Sequence, residues 1–590
     1  MCGICGYLSK KYVSEDVLSE MNDSMYHRGP DDHGTDVVSL KKSSNGSNLF
    51  LGMAHRRLSI MDLSEKGHQP MQSYDGRVRI VYNGEIYNFR ELKKELDYPF
   101  VSDCDTEVII AAYLRWGIDC VNRFNGMFAF ALYDLEKKVL YLVRDRLGVK
   151  PLYYWKNTDG IVFSSELKAI RLYPGFSECI RNELLPRFFV RKYLSAPDTI
   201  YENVYKLEPG TYLEIGEETE QKFKYWDALA TYSEKSSNTI ETFDESKRIL
   251  LEKLKESIKH RLVSDVPVGM FLSGGYDSSL ITAIAQSVSN QRLRTFSIGF
   301  EDSNISESQY AIAISKYLGT NHTDTVIAEK DMLDLIDDLP KFFDEPFADG
   351  SQLPMMLVAK TAKAGGVTVA LSGDGGDEFF CGYGDYIPGI KNALRMYASD
   401  AVRFKTVKGL LLDKNNNSFT SCRYDKRRYS SVDDKQVRKM IMDMETYLPD
   451  DICCKVDRAT MKYSLEARCP FLDNDVVEAS YRISQNFKYH DNSGKHIIKM
   501  LAYDYIPRDM LDRPKQGFGI PYHKWLQGPL KDVVYDYSQK AYIEKQGIFD
   551  FERVNFFLDK YMSCKEGAFP DYSDVVWAYL MFQMWFSEYN

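Results

Sequence analysis

No run of eighteen or more consecutive apolar residues occurs in this 590-residue sequence, so no membrane-spanning helix is expected. Basic residues are in deficit: 75 Lys+Arg stand against 85 Asp+Glu, a net charge of −10, which argues against a nucleic-acid partner. The opening MCGICGYLSK lacks the basic-then-apolar order of a secretory signal. A cytoplasmic location is therefore the expectation, with the 11 cysteines reduced. Internal repeats and blocks of like charge are also missing. What is present is 44% hydrophobic and 27% charged residues, a globular profile, in a chain long enough for two domains of unequal size.

The first two hundred residues read as β-rich. Short apolar runs at 77–82, 127–133 and 139–144 are separated by polar turns, with Asp75-Gly76 and Asn83-Gly84 among them. Helical spacing interrupts at 88–96 and 105–116. A polar stretch at 228–241 reads as a linker. Beyond it, strands are expected at 266–272, 294–300 and 367–371, each followed by a loop or helix, which implies a parallel α/β sheet. The last third reads as helical.

Cys2 follows the initiator methionine. Loss of Met1 would expose an α-amine with a pKa of about 8, so one residue would carry both a thiol nucleophile and its general base. Cys2 and Cys5 also form a C-x-x-C, which could be a redox or zinc element. No βαβ context or second ligand pair supports either. An Asn amide with an adjacent glycine N–H, as at Asn83-Gly84, can form an oxyanion hole. Arg57 offers a guanidinium for a carboxylate and Asp105 a carboxylate for an ammonium. Taken singly, each is better read as an ordinary turn or surface charge.

Two further loops combine glycine with carboxylate. Ser273-Gly274-Gly275-Tyr276-Asp277-Ser278 lies between an expected strand and helix, where backbone N–H groups and a helix N-terminus can hold phosphate. Asp277 beside phosphate calls for an intervening cation and reads as a Mg²⁺ ligand. The G-x-x-x-x-G-K-[ST] pattern of γ-phosphate transfer is missing here. The second loop, 372–378, supplies Asp377 as another carboxylate for Mg²⁺. Paired loops at strand carboxyl ends belong at the ligand crevice of an open α/β sheet.

The segments MCGICGY, HRGPDD (27–32), RRLSIMD (56–62), YNGEIYN (82–88), FNGMFAFALYD (124–134), RDRLGVKPLYY (144–154) and SSELKAI (164–170) resemble the class II glutamine amidotransferase domain. SDVPVG (264–269), SGGYDSS, TFSIGF (295–300), LSGDGGDE, KVDRATM (455–461), EARCPFLD (466–473), GKHIIK (494–499) and KQGFGIP (515–521) resemble the ATP-pyrophosphatase domain of asparagine synthetases. The resemblance implies an N-terminal Ntn-hydrolase αββα sandwich at 2–215 and a parallel-sheet α/β ATP-pyrophosphatase domain with a helical C-terminal part at 242–590. It implies Cys2 as nucleophile, Asn83 and Gly84 as oxyanion donors, and Arg57, Ile60, Asn83, Glu85 and Asp105 as glutamine-binding groups. It implies ATP contacts at Leu272, Ser273, Gly274, Gly275, Asp277, Ser278, Ile298, Ser372 and Gly373. Lys495 would neutralise phosphate charge, Asp374 would sit where the acyl-adenylate forms, and Asp277 and Asp377 would address Mg²⁺. Asp457 and Arg458 are either active-site support or a helix-surface pair.

The expected activity is glutamine-dependent asparagine synthesis from L-glutamine, ATP and L-aspartate, with AMP and pyrophosphate released. Family members are often dimers, so a homodimer is the implied assembly. The acceptor stays open. The segment 347–354 carries Gly350 where an Arg is expected for the aspartate α-carboxylate, and Arg468 is the candidate replacement. Relatives with these loops also amidate other carboxylic acids, such as sugar uronic acids.

Overall fold

The computed structural model describes residues 1–40, 48–217, 219–301, 307–387, 390–413, 428–513, 519–566 and 571–590. Residues 515–518 of the KQGFGIP segment lie outside that set.

Twelve strands of the first half alternate in side-chain direction, and two antiparallel sheets result. One has the order β10(Val204–Lys206), β8(Tyr153–Asn157), β9(Gly160–Ser164), β1(Gly3–Ser9), β3(Leu49–Arg57), β2(Asp32–Leu40). The other has β12(Glu220–Lys224), β11(Thr211–Ile215), β7(Val139–Arg144), β6(Gly126–Asp134), β5(Val78–Ile86), β4(Met71–Gln72). Ile4 and Leu8 of β1 meet Val81, Ala129, Ala131 and Leu142 of the opposite sheet in one buried core. Residues of the other parity face outward. Tyr7 joins Leu18 and Met21 of the helix Glu15–Asp23, and Phe128 and Phe130 join Val108, Ile109 and Ala112 of the helix Asp105–Trp116. Helix, sheet, sheet and helix form the αββα sandwich the resemblance implies, because each face of a two-sided apolar strand must be covered.

The second half builds a five-stranded parallel sheet in the order β15(Asn321–Ile327), β14(Arg294–Phe300), β13(Val268–Phe271), β16(Val369–Leu371), β17(Glu466–Arg468). Helices Phe243–Arg261 and Tyr276–Val288 cover one face through Leu254, Ile258, Leu280 and Ile284. The helix Gln352–Ala364 covers the other through Leu353, Met356 and Ala359. The chain runs outward from β13 to β14 and β15, then returns to the other side of β13 as β16 and β17. The loops after β13 and β16 therefore flank the point where strand order reverses, the expected ligand crevice.

Three sequence expectations change. Asn83-Gly84 is not a turn after a strand: both residues lie inside β5, paired with Ala129 and Phe128 of β6. A glycine is required there, because a Cβ at position 84 would lie 2.2 Å from the Met127 carbonyl oxygen. The polar stretch 228–241 is not all linker, since the helix Ala228–Lys235 forms with Asp227 as its N-cap, accepting from the Ala230 N–H. Asp457 and Arg458 are not a helix-surface pair; both are buried on the helix Cys454–Met461.

Candidate functional site

Two sites form, one in each half. In the first, β1 begins directly after Cys2, placing the thiol at the end of that central strand, beside β5 of the facing sheet. The Cys2 backbone N–H donates to Asn83 Oδ1 at 2.9 Å, which orients the Asn83 amide. Its Nδ2 is buried and finds no acceptor among the described residues. A buried donor without a partner costs free energy, and a developing oxyanion would supply the missing acceptor. Burial raises the Cys2 thiol pKa, opposed by the neighbouring terminal ammonium and a hydrogen bond from the Leu58 backbone.

Cys2, Arg57, Ile60, Gly84, Glu85 and Asp105 line one cavity of about 30 Å³, together with Met1, Gln69, Tyr82, Cys104 and Thr106. The structure thus brings Arg57, Ile60, Glu85 and Asp105 of the expected glutamine pocket to one place, whereas Asn83 is buried beside Cys2 and does not line the cavity. Arg57 is fixed by the carbonyls of Ser64 (2.9 Å), Met61 (3.4 Å) and Asp62. Asp105 opens its helix and accepts from Tyr82 Oη at 2.7 Å and the Ile86 N–H at 2.8 Å. Burial raises its pKa, with those two bonds pulling the other way. Sequence reasoning missed Tyr82 and Gln69: Gln69 Oε1 accepts from the Tyr82 N–H at 2.7 Å and its Nε2 donates to Thr106 Oγ1 at 3.3 Å. The signal was present only as neighbours of Asn83 and Asp105. Cys5 is buried in the helix-side core with Tyr7, so the C-x-x-C pair does not share a face.

The second site is a cavity of about 580 Å³ lined by Leu272, Ser273, Gly274, Gly275, Asp277, Ser278, Ile298, Ser372, Gly373, Asp374, Asp377 and Lys495. Every residue expected to address ATP, Mg²⁺ or the acyl-adenylate is present. Sequence reasoning missed Lys455, Ser351, Glu378, Tyr383 and Arg513, which also line it. Gly274 has φ +78° and Gly375 φ +95°, a left-handed backbone that glycine adopts without strain. The loops also touch: a Cβ on Gly373 would lie 2.9 Å from the Ser278 nitrogen, and one on Gly376 2.5 Å from Asp277 Oδ1. Only glycine lets the two loops close on each other.

Lys495 Nζ lies 2.7 Å from Asp377 Oδ1 and also pairs with Asp277. Burial works against its charge, but the two carboxylates outweigh it and its pKa rises. Asp377 and Asp277 come from different loops yet reach one cation, and an all-oxygen pair of this kind fits a hard divalent ion. Lys455 Nζ lies 2.8 Å from Ser351 Oγ and 3.1 Å from Asp349 Oδ2. Asp374 accepts from Ser372 Oγ, and burial raises its pKa. Burial and the Asp377 charge push Glu378 up to about 8, with Tyr383 Oη donating to it at 2.6 Å.

Arg468 does not line this cavity, contrary to the expectation that it meets an acceptor carboxylate. It is fully buried, with Nη2 3.0 Å from Glu85 Oε1 and Nε 2.6 Å from Glu466 Oε1. Its Nη1 donates to the carbonyls of Val263 at 2.7 Å and Arg261 at 2.9 Å. Nη2 is thus turned towards the first half of the chain, Nε towards Glu466 of its own strand, and Nη1 towards the connection that leads into β13.

Comparison with known proteins agrees with this two-site geometry. A family model for asparagine synthase matches residues 250–587, and one for a glutamine amidotransferase domain matches residues 1–226. Asparagine synthetase [glutamine-hydrolyzing] 1 of Bacillus subtilis is 32% identical over 100% of this chain and 96% of its own length. Putative asparagine synthetase [glutamine-hydrolyzing] 2 of Methanocaldococcus jannaschii is 38% identical over 66% of this chain and 77% of its own. Amidase chry2 of Gibberella zeae is 25% identical over 96% of each. A buried thiol beside a buried amide donor, a glycine–carboxylate cavity in the same chain, the two family models and a 32%-identical relative matched over the whole of this chain have one reading: the chain belongs to the glutamine-hydrolysing asparagine synthetase family and is a glutamine-dependent ligase.

Proposed function

We propose that this enzyme amidates the side-chain carboxylate of L-aspartate, with unit 2–215 hydrolysing glutamine and unit 242–590 activating the acceptor. Cys2 Sγ attacks the glutamine carboxamide carbon and its proton passes to the α-amine freed by loss of Met1. The C–N bond breaks, ammonia leaves with that proton, and water then releases glutamate from the thioester. Asn83 Nδ2 and the Gly84 N–H would hold the oxyanion, Arg57 the substrate carboxylate, and Glu85 and Asp105 its ammonium, with the Ile60 backbone completing the pocket.

In the second site an acceptor carboxylate oxygen attacks the α-phosphorus of ATP and pyrophosphate departs. Ser273, Gly274, Gly275, Ser278, Ser372 and Gly373 would hold the phosphates, and Leu272 and Ile298 the rest of the nucleotide. Asp277 and Asp377 would hold Mg²⁺, which supplies neutralising charge to pyrophosphate. Lys495 sits between those carboxylates and would move onto the phosphates as they arrive. Asp374 faces the forming acyl-adenylate. Ammonia attacks the acyl carbon and AMP leaves. Ammonia is a nucleophile only when neutral, so its passage between the sites through a dry interior preserves its reactivity, and holding reactants together is worth roughly 7–11 kcal/mol in well-oriented cases.

The observation that carries this reading is the convergence of Asp277 and Asp377, from two separate glycine loops, on Lys495 in a cavity of about 580 Å³. With no Arg at position 350, Lys455 beside Ser351 is the cavity cation proposed for the acceptor's second carboxylate. A relative named an amidase over nearly the same length supports testing other acceptors, sugar uronic acids among them. The test is stoichiometric: glutamine, ATP, Mg²⁺ and aspartate should yield AMP, pyrophosphate, glutamate and asparagine in equal amounts. ADP with orthophosphate would refute adenylation, and AMP formation only with a uronic acid would refute aspartate as the acceptor. Gel filtration with light scattering tests a homodimer.

A further inference from the structure

The walls of the glutamine pocket are tied to the very strands that end in the two phosphate loops. Resting on the functional reading above, we propose that Arg468 and Asp265 are positioning residues that couple occupancy of the two sites, so that glutamine and Mg-ATP each tighten the other's binding.

Two connections carry this. On one wall, the Asp265 N–H donates to the Ile60 carbonyl at 3.0 Å, and Asp265 Oδ2 accepts from the Asp62 N–H at 2.9 Å. Two residues later, the Pro267 carbonyl accepts from the Thr368 N–H at 3.1 Å. The chain then enters β13, which runs into the Ser273–Ser278 loop. On the other wall, Glu85 is paired with Arg468 at 3.0 Å. The Arg468 carbonyl accepts from the Ser372 N–H at 2.9 Å, the first residue of the second phosphate loop. Arg468 also holds the Val263 carbonyl at 2.7 Å, so it clasps both connections at once.

The path is short and stiff. β13, β16 and β17 have four, three and three residues, roughly 10–13 Å at 3.3 Å each. They are hydrogen-bonded neighbours in one sheet. Glutamine engaging Glu85 and the Ile60 backbone changes what Arg468 and Asp265 hold, and through the Ser372 N–H and β13 it changes the relative placing of the two loops. A ligand shifts an equilibrium only through differential affinity, and both ligands here contact groups bonded to the same two residues. Linkage then requires the coupling to be equal in both directions.

Glutamine binding without turnover is read in Cys2→Ala. Calorimetry of Mg-ATP binding to this variant, with and without saturating glutamine, should show the ATP Kd falling about fivefold or more. Asp265 is exposed, so Asp265→Ala added to Cys2→Ala tests one connection without burying a defect. The shift should drop below about twofold, while Asp265→Asn, which keeps an acceptor oxygen, should retain it. Arg468→Lys should also lose the shift. An ATP Kd indifferent to glutamine in Cys2→Ala, or a shift that survives in Asp265→Ala and Arg468→Lys alike, overturns the proposal. Glutaminase and ammonia-dependent AMP release by unsubstituted enzyme score the functional reading separately. If both are present without linkage, only the coupling falls; if both are missing, both ideas fall.

Discussion

Arg458 and Glu166 form a fully buried ion pair at 2.8 Å, joining the synthetase half to the amidotransferase half. Arg458 also lies 3.1 Å from Asp344, and Glu166 2.9 Å from Arg28, which in turn reaches Asp457 at 2.7 Å. A buried pair is weak evidence of net stabilisation, but removing one partner strands the other. Arg458→Met should leave Glu166 and Asp344 short of one cation and destabilise the chain by about 3 kcal/mol. Urea unfolding at neutral pH measures it, and an unchanged midpoint would show that the remaining cations suffice.

The Asn83 amide is held by the Cys2 N–H on its oxygen side and has an unused buried donor on its nitrogen side. Asn83→Ala should lower glutaminase kcat by about 10²–10³ with little change in KM, because the donor acts on the transition state. Ammonia-dependent synthesis should be untouched. A KM effect alone would recast Asn83 as a substrate-binding group.

The two loops and the helix 105–116 were legible because glycine–carboxylate patterns and apolar periodicity are local, and the amidotransferase sandwich because its motifs resemble a known family. What escaped was charge made buriable by distant partners. β17 is three residues long, Glu-Ala-Arg, and reads as surface; only Glu85, Met1 and backbone carbonyls far along the chain let this edge strand be buried. The Arg468 misplacement has the same origin, since a guanidinium in a motif looks free until its five donors are counted. Asn83-Gly84 read as a turn because its residue types favour turns, whereas pairing with β6 overrides that preference. Lys455 and Glu378 gave no signal beyond membership of their motifs.

Glu378 carries a pH dependence whose sign is fixed. Its folded pKa, about 8, lies above the unfolded value of 4.5. Its contribution to stability is therefore full below about pH 4.5 and is lost as pH rises towards 8. The limiting slope for one such group is about 1.4 kcal/mol per pH unit. Glu345, raised to about 7 by burial against the pull of Lys206, adds a similar trend. Glu378→Gln should flatten the decline between pH 5 and 8 without abolishing it. Thermal unfolding across that range decides, and an identical slope in the variant would mean that Glu378 is ionised throughout.

The proposed glutaminase mechanism requires the loss of Met1. With Met1 attached, the Cys2 nitrogen is an amide that donates to Asn83; its lone pair is delocalised and takes no proton. Met1 itself is buried, with its ammonium 2.9 Å from Glu466 Oε2, and it lines a cavity of only about 30 Å³. Cleavage would therefore do two things at once: open space for glutamine and create an amine with a pKa of about 8 next to the thiol. Intact-mass measurement on glutaminase-active enzyme should show a chain beginning at Cys2, and its rate should rise with pH towards about 8 as the amine loses its proton. Full activity in a population that retains methionine would require another base for the Cys2 proton.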